Sequence, residues 1–207
     1  MNPEGFASAI DCSADWEFVR GVVGARWLDD DRGRVTARVS LPHCWNTTDT
    51  QPEDRRYYRG YGYYRRDVRL PAGGPDGLWF LESGGFYGLA DIRVDGVSCG
   101  RVDGQYLGFR IDVTRELDPA RATHRIGIRL TNRCPLHVLP GIDVPDFILY
   151  GGLASRIRLV WRPRVRLEED EVLAQAVWEE SGRGRVDVAV HVVNRSTVDW
   201  RGTVEWD

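Results

Sequence analysis

His124-Arg-Ile-Gly-Ile-Arg-Leu130 places Ile126, Ile128 and Leu130 at every second position, with Arg125 and Arg129 between them. Successive side chains of a strand point to opposite faces, so the run reads as a half-buried strand. Val35-Thr-Ala-Arg-Val-Ser-Leu41, Ala90-Asp-Ile-Arg-Val94 and Val186-Asp-Val-Ala-Val-His-Val192 repeat the pattern. Turn chemistry lies between such runs: Gly73-Gly-Pro-Asp-Gly77, Asp103-Gly104, and Asp95-Gly96, which fits a two-residue hairpin. Helical periodicity is confined to one turn at Thr114-Arg-Glu-Leu117, with Thr114 as its cap. Many short strands, Gly-rich turns and almost no helix predict an all-β chain built as an antiparallel sandwich or jelly roll.

Outward from that core the texture changes once. Ile157-Arg-Leu-Val-Trp161 runs into Pro163, which cannot donate a ladder hydrogen bond. Beyond it, three or four strands are expected: Val165–Leu167, Val172–Trp178, Val186–Asn194 and Thr203–Trp206. An immunoglobulin-like sandwich needs about seven strands over roughly 100 residues, so this stretch is expected to be about half of one. The predicted organisation is a leader at 1–11, a jelly-roll β-sandwich at 12–163 and a truncated immunoglobulin-like β-sandwich at 164–207. An incomplete sheet would leave Val186, Val188, Val190 and Val192 uncovered beside an unpaired edge, which favours association.

The 207 residues carry 28 basic and 31 acidic side chains, a net charge of -3, and every basic residue is Arg. A nucleic-acid binder normally carries a basic excess, so no nucleic-acid partner is expected. The absence of Lys reads as coding-DNA composition and carries no functional weight. No run approaches the roughly 18 apolar residues of a membrane-spanning helix, so no membrane partner is expected. Pro3, Glu4, Asp11 and Asp15 interrupt the opening where a signal peptide would be apolar, and a cytoplasmic location follows as the expectation. Cys12, Cys44, Cys99 and Cys134 form no C-x-x-C pair and read as buried free thiols. His43 and His137 lack a second ligand at metal spacing, so both read as structural, and no metal or cofactor is expected. Asn46-Thr-Thr48 and Asn194-Arg-Ser196 match the glycosylation pattern but mean little without an export signal.

Trp16-Glu-Phe-Val-Arg-Gly21, Leu41-Pro-His-Cys-Trp-Asn46, Tyr57-Tyr-Arg-Gly-Tyr-Gly-Tyr-Tyr-Arg-Arg66 and Asp146-Phe-Ile-Leu-Tyr-Gly-Gly-Leu153 occur in that order. Between the last two lie Val94-Asp-Gly-Val-Ser-Cys-Gly100, Gly104-Gln-Tyr106 and Phe109-Arg-Ile-Asp-Val-Thr114. Together these stretches resemble the amino-terminal region of the family 2 glycoside hydrolases, which includes β-galactosidases, β-glucuronidases and β-mannosidases. The resemblance covers about residues 15 to 160, and 164–207 is similar to the start of that family's second, immunoglobulin-like domain. One departure follows Gly151-Gly152, where the family continues with an aromatic, Arg and Asp, and this chain has Leu153-Ala-Ser-Arg-Ile157. The resemblance implies a galactose-binding-like, sugar-binding jelly roll that precedes a catalytic barrel. The implied parent hydrolyses terminal β-linked sugars with retention, β-galactosides first and β-glucuronides as the alternative. Two other classes stay open: a free-standing carbohydrate-binding module, and a purely structural β-sandwich interaction domain.

Cleavage with retention needs two carboxyl groups about 5 to 5.5 Å apart across the glycosidic bond. In the family both are glutamates of the barrel, and the acid follows an Asn. None of Asn2, Asn46, Asn132 and Asn194 is followed by Glu, so this chain is not expected to hydrolyse anything by itself. Asp29-Asp-Asp31 and Glu168-Glu-Asp-Glu171 read as solvated turns. What the region supplies is substrate binding. By resemblance, Asp146 contacts hydroxyls of the terminal sugar from the loop before the Gly-Gly turn; otherwise it is a turn residue after Pro145. Arg59 lines the same mouth or serves as a structural ion-pair partner. Asn132 closes a strand just before the Cys134–Asp146 loop, within reach of the site. On an extended segment Tyr57, Tyr61 and Tyr63 fall on one face and Tyr58 and Tyr64 on the other, which reads as packing. The partners implied are a carbohydrate substrate and the catalytic barrel, with homo-oligomerisation of the parent left open.

Overall fold

The computed structural model describes residues 8–21, 23–29, 37–49, 57–72, 75–104, 106–139, 141–142, 146–168, 171–178 and 182–204. Its strands are β1 (Ala9–Asp11), β2 (Trp16–Arg20), β3 (Ala37–Val39), β4 (His43–Cys44), β5 (Tyr61–Arg69), β6 (Leu78–Ser83), β7 (Leu89–Val94), β8 (Val97–Val102), β9 (Phe109–Asp112) and β10 (Thr123–Thr131). They continue with β11 (Gly152–Leu153), β12 (Ile157–Arg162), β13 (Val165–Leu167), β14 (Leu173–Trp178), β15 (Gly184–Ala189) and β16 (Val192–Asn194). A 3₁₀ turn spans Ala25–Leu28. The chain is all-β, and no helix among the described residues is long and apolar enough to cross a membrane. It divides into two compact units, 1–75 with 79–161, and 76–78 with 162–207.

The first unit is a β-sandwich. A six-stranded sheet in the order β3-β2-β5-β10-β7-β8 and a four-stranded sheet in the order β1-β12-β6-β9 supply its two layers. Trp16, Phe18, Tyr64, Ile92, Ile126, Ile128 and Leu130 of the larger sheet share one buried cluster with Leu81, Ile157 and Leu159 of the smaller. Strand β10 shows why: its apolar residues alternate into the core while Arg125 and Arg129 stay on the far face. Removing a buried side chain such as Ile128 would cost about 2 to 5 kcal/mol. The far face is covered in part by the 3₁₀ turn, whose Trp27 and Leu28 cluster with Val19 and Tyr63. Gly127 permits that approach, because a Cβ there would lie 3.0 Å from the Leu28 Cβ. The hairpin joining β7 to β8 is the expected one, with Asp95 at φ 47 and Gly96 at φ 81, both positive as a type I′ turn requires.

His124 is the polar exception on the core side of β10. It is fully buried, and its ring lies 2.6 Å from Asp95 Oδ2 through Nδ1 and 3.1 Å from the Asp118 carbonyl through Nε2. Both ring nitrogens thereby find acceptors, which ties the β7–β8 hairpin to the turn before β10.

Several expected elements differ. Thr114–Leu117 forms turns without a helix, and the Thr114 hydroxyl accepts the Trp79 N–H at 2.8 Å instead of capping. Of Val35–Leu41 only Ala37–Val39 is a strand, and residues 35 and 36 lie outside the described residues. Gly73 and Gly74 of the expected turn also lie outside them. Of the thiols, Cys12 and Cys134 are buried, whereas Cys44 and Cys99 are only half-buried.

In the second unit, β13 pairs with β16 and β14 with β15, both antiparallel. The expected continuous strand Val186–Val192 is therefore two strands with different partners. Val190 and His191 break it, and the His191 carbonyl accepts the Glu168 N–H at 2.9 Å. Thr203 and Val204 are not in a strand, and Glu205 and Trp206 lie outside the described residues. The unit leaves large apolar side chains in solvent: Trp178 is 78% exposed, Leu173 65% and Val186 63%.

Candidate functional site

Two buried asparagines organise one end of the sandwich. Asn132 follows β10 directly; its Oδ1 accepts the Gly60 N–H at 2.8 Å, and its Nδ2 donates to the Tyr58 carbonyl at 3.0 Å and the Leu149 carbonyl at 2.8 Å. Asn46 follows β4 and does the same from the other side. Its Nδ2 donates to Tyr58 O at 3.1 Å and Asp49 Oδ1 at 3.0 Å, and its Oδ1 accepts the Gly151 N–H at 2.9 Å. Both residues are fully buried. Loop backbone that misses a strand ladder must find partners elsewhere, and an amide supplies donor and acceptor at once.

The clamp fixes the base of the loop that carries Asp146. The Leu149 N–H donates to the Tyr57 hydroxyl at 2.9 Å, and the Trp45 N–H to the Gly151 carbonyl at 2.9 Å. Trp45 is itself a buried wedge: a Cβ on Gly151 would lie 1.9 Å from its ring, and one on Gly62 2.3 Å. At Gly152, φ is +141 and a Cβ would lie 2.1 Å from the His43 carbonyl. Both glycines of the Gly151-Gly152 pair thus answer internal packing, which accounts for them without any contact to another domain. Asp146 lies three residues before Leu149 on an exposed stretch.

Arg59 sits between the two clamped residues Tyr58 and Gly60. Its carbonyl accepts from Arg133 Nε at 3.1 Å. Its guanidinium is close enough to Cys134 to oppose the upward push that burial gives that thiol. A second pair backs the wall: Arg20 donates to Asp49 Oδ2 at 3.0 Å and to the Trp45 carbonyl at 3.1 Å, and lies 4.8 Å above the Tyr58 ring. Burial pushes the Tyr58 phenol up, so it stays protonated and donates to the Tyr61 carbonyl at 2.9 Å. Behind it, His43 Nδ1 is 2.7 Å from the Tyr64 hydroxyl. Burial lowers the His43 pKa and raises that of Tyr64 well above 10.0, so the bond joins a neutral imidazole to a protonated phenol.

The structure therefore separates the three residues singled out from sequence. Asn132 engages both amide atoms with backbone, inside the protein. Arg59 and Asp146 lie on segments that Asn132 holds together through Tyr58, Gly60 and Leu149. Sequence reasoning passed over Asn46, Asp49, Arg20 and the hydroxyl of Tyr57, which complete the frame. The readable signal was Asn46 at a strand end with Asp49 three residues on, a turn-forming pair. Among the described residues no group of three or more His, Cys, Asp and Glu is placed to hold a metal ion. Chemically this end of the sandwich offers hydrogen bonding; of its carboxylates, Asp49 is engaged with Arg20, Asn46 and the Tyr58 N–H, and Asp146 is exposed.

No protein-family model matches the chain. A curated relative from Formosa agariphila called putative beta-glucuronidase is 26% identical over 160 residues, covering 77% of this chain and 19% of its own length. The beta-glucuronidase of Bacteroides fragilis is 28% identical over 125 residues, covering 60% of this chain and 18% of its own length. The solved apo structure of Bacteroides uniformis beta-glucuronidase 3 aligns with a TM-score of 0.74 at 26% identity, over 94% of this chain and 27% of that one. The chain thus spans about a fifth of the length of the curated relatives it matches, and it is similar to a part of proteins named beta-glucuronidase, not specifically to a β-galactosidase.

Proposed function

We propose that the chain is the non-catalytic, substrate-facing part of a family 2 glycosidase of the β-glucuronidase type, with Asp146 and Arg59 at the mouth of its active site. The observation that carries this is the anchored loop: its base is held at Leu149 and Gly151 by Asn132, Asn46 and Tyr57, while Asp146 stays in solvent. A fixed base with an exposed carboxylate is what recognition of sugar hydroxyls needs, because a preorganised acceptor loses little entropy on binding. The relatives' names move the preferred substrate from a β-galactoside to a β-glucuronide, the alternative that the sequence already allowed. A glucuronide also carries a carboxylate that a guanidinium such as Arg59 would pair with bidentately. In this reading Asn132 positions the loop and does not touch sugar. The first unit is the jelly-roll sugar-binding domain, and residues 164–207 begin an immunoglobulin-like one. The two catalytic carboxyl groups belong to a barrel outside this chain.

The test is made in a longer protein that includes a barrel. Asp146→Asn keeps shape but removes the charge, and a charged hydrogen bond is worth about 1.5 to 3 kcal/mol. The variant's kcat/KM on nitrophenyl β-glucuronide should fall roughly tenfold to a hundredfold, with Tm unchanged. Lost stability with kcat/KM per folded molecule intact would make Asp146 a turn residue and sink the reading. Faster turnover of the β-galactoside than of the β-glucuronide would restore the other substrate.

A further inference from the structure

The far face of the six-stranded sheet holds a cleft of about 230 Å³ lined by Tyr61, Leu89, Asp91, Arg101, Arg129, Thr131, Arg133 and Pro135. Its floor is set by register. Arg129 of β10 stands opposite Asp91 of β7, and Asp91 opposite Arg101 of β8. Directly opposed residues face the same side of a sheet, so Arg, Asp and Arg form one row across three strands. In the next row Thr131 stands opposite Leu89 and Tyr61.

One carboxylate lies between two guanidiniums in that row. Asp91 Oδ2 accepts from Arg129 Nε at 2.7 Å and also from its Nη2, while Arg101 turns to Asp103 at 2.5 Å. Arg133, at the strand's end, donates Nε to the Arg59 carbonyl at 3.1 Å and makes no ion pair among the described residues. Three arginines against Asp91 leave a surplus of two positive charges, or one if Asp103 is included, on a chain whose net charge is -3. A guanidinium has five N–H donors, so these bonds engage only part of the donor set. Arg129 also lies 5.4 Å from the Tyr61 ring centre, which holds its plane over an aromatic wall. Planar, partly satisfied guanidiniums around a small cleft select oxyanions.

We propose that this cleft is a second recognition site, for the carboxylate or sulfate group of an acidic sugar residue. Its volume lies below the roughly 300 to 1,000 Å³ of sites for drug-sized molecules, so it takes one acidic group and the edge of its ring, not a saccharide chain. The preference for an oxyanion stands on the cleft alone; that the carrier is a sugar rests on the glycosidase reading. Leu89 and Pro135 supply apolar contact for ring C–H groups, and Thr131 a hydroxyl.

The test is titration calorimetry of the 207-residue chain at low ionic strength with sodium glucuronate, glucose and inorganic sulfate. Glucuronate should bind at least about tenfold more tightly than glucose, sulfate should compete with it, and added salt should weaken it. Arg101 is on the edge strand β8 and 54% exposed, so Arg101→Gln should leave folding intact and weaken glucuronate about tenfold. Asp91→Asn removes the internal competitor and should tighten binding severalfold. Arg38→Gln, on the opposite edge strand β3 and 68% exposed, should change nothing, which ties the affinity to this cleft and not to arginine charge in general. Equal affinity for glucuronate and glucose, or binding indifferent to both Arg101→Gln and Asp91→Asn, would overturn the proposal. Sulfate binding without glucuronate binding would overturn the acidic-sugar assignment and leave an adventitious ion only.

Discussion

Truncating Asn132 to Ala distinguishes a ligand contact from a structural clamp, because the two roles predict opposite readouts. The amide makes three hydrogen bonds inside the protein, to Gly60 N, Tyr58 O and Leu149 O. Removing it does not orphan all three, since Tyr58 O keeps the Asn46 amide at 3.1 Å. That leaves the Gly60 N–H and the Leu149 carbonyl unsatisfied in a buried setting, at about 1 to 3 kcal/mol each, or roughly 2 to 6 kcal/mol together. In a chain of this length 1 kcal/mol moves Tm by about 2 to 4 °C, so the expected loss is roughly 4 to 24 °C. Leu149 is also held through its N–H by the Tyr57 hydroxyl, so Asn132→Ala and Tyr57→Phe should not add: residues sharing one network typically couple by about 0.5 to 3 kcal/mol. Thermal and urea unfolding of the two single variants and the double variant measure this. A shift below about 2 °C for Asn132→Ala would show the clamp to be unimportant and return Asn132 to the list of ligand contacts.

Gly151→Ala should be at least as damaging as a typical overpacked core, about 1 to 3 kcal/mol or more, because the new Cβ would lie 1.9 Å from a Trp45 ring that is itself buried; equilibrium unfolding checks it, and a neutral result would mean that Trp45 moves freely. Tyr64 has a folded pKa raised above its ordinary 10.0 by burial, so its contribution is fully present below pH 10 and is lost as pH rises toward the folded value. Tyr64→Phe should therefore cost about 1 kcal/mol near neutrality, from the lost bond to His43, yet flatten the fall in stability above pH 10; parallel alkaline unfolding curves for the two proteins would contradict this. A chain ended at Pro163 should be more monomeric than all 207 residues by light scattering, since Trp178, Leu173, Val186 and Val188 are exposed in the second unit; equal monodispersity would show that this surface does not drive association.

The all-β fold was legible because burial of one face writes itself into a strand at period two. In β10 every core-facing position but one is apolar, and the exception, His124, has acceptors at both ring nitrogens. The Asp95-Gly96 hairpin was legible for a different reason: few dipeptides tolerate two positive φ values in succession. Alternation says which face a residue takes and not which strand it joins. Val186–Val192 keeps its period across Val190 and His191, yet its halves pair with β14 and β13, a choice made by partners elsewhere in the chain.

The frame around the proposed site was not legible residue by residue, and the asparagines show the physical cause. An amide that grips backbone and an amide that grips a sugar hydroxyl are the same group. What decides between them is whether backbone arrives to be gripped, and for Asn132 it arrives from 72 and 74 residues upstream and 17 downstream. Asn46 is subject to the same ambiguity in stronger form, since its sequence context matches a glycosylation acceptor while the fold buries it completely against Gly151. Asp146 differs from both. A carboxylate three residues before a clamped residue and exposed to solvent adds little to the fold through its charge. Its candidacy as a sugar contact therefore rests on where Asn46, Asn132 and Tyr57 place it, and a variant that loosens Leu149 should weaken recognition by Asp146 without touching Asp146 at all.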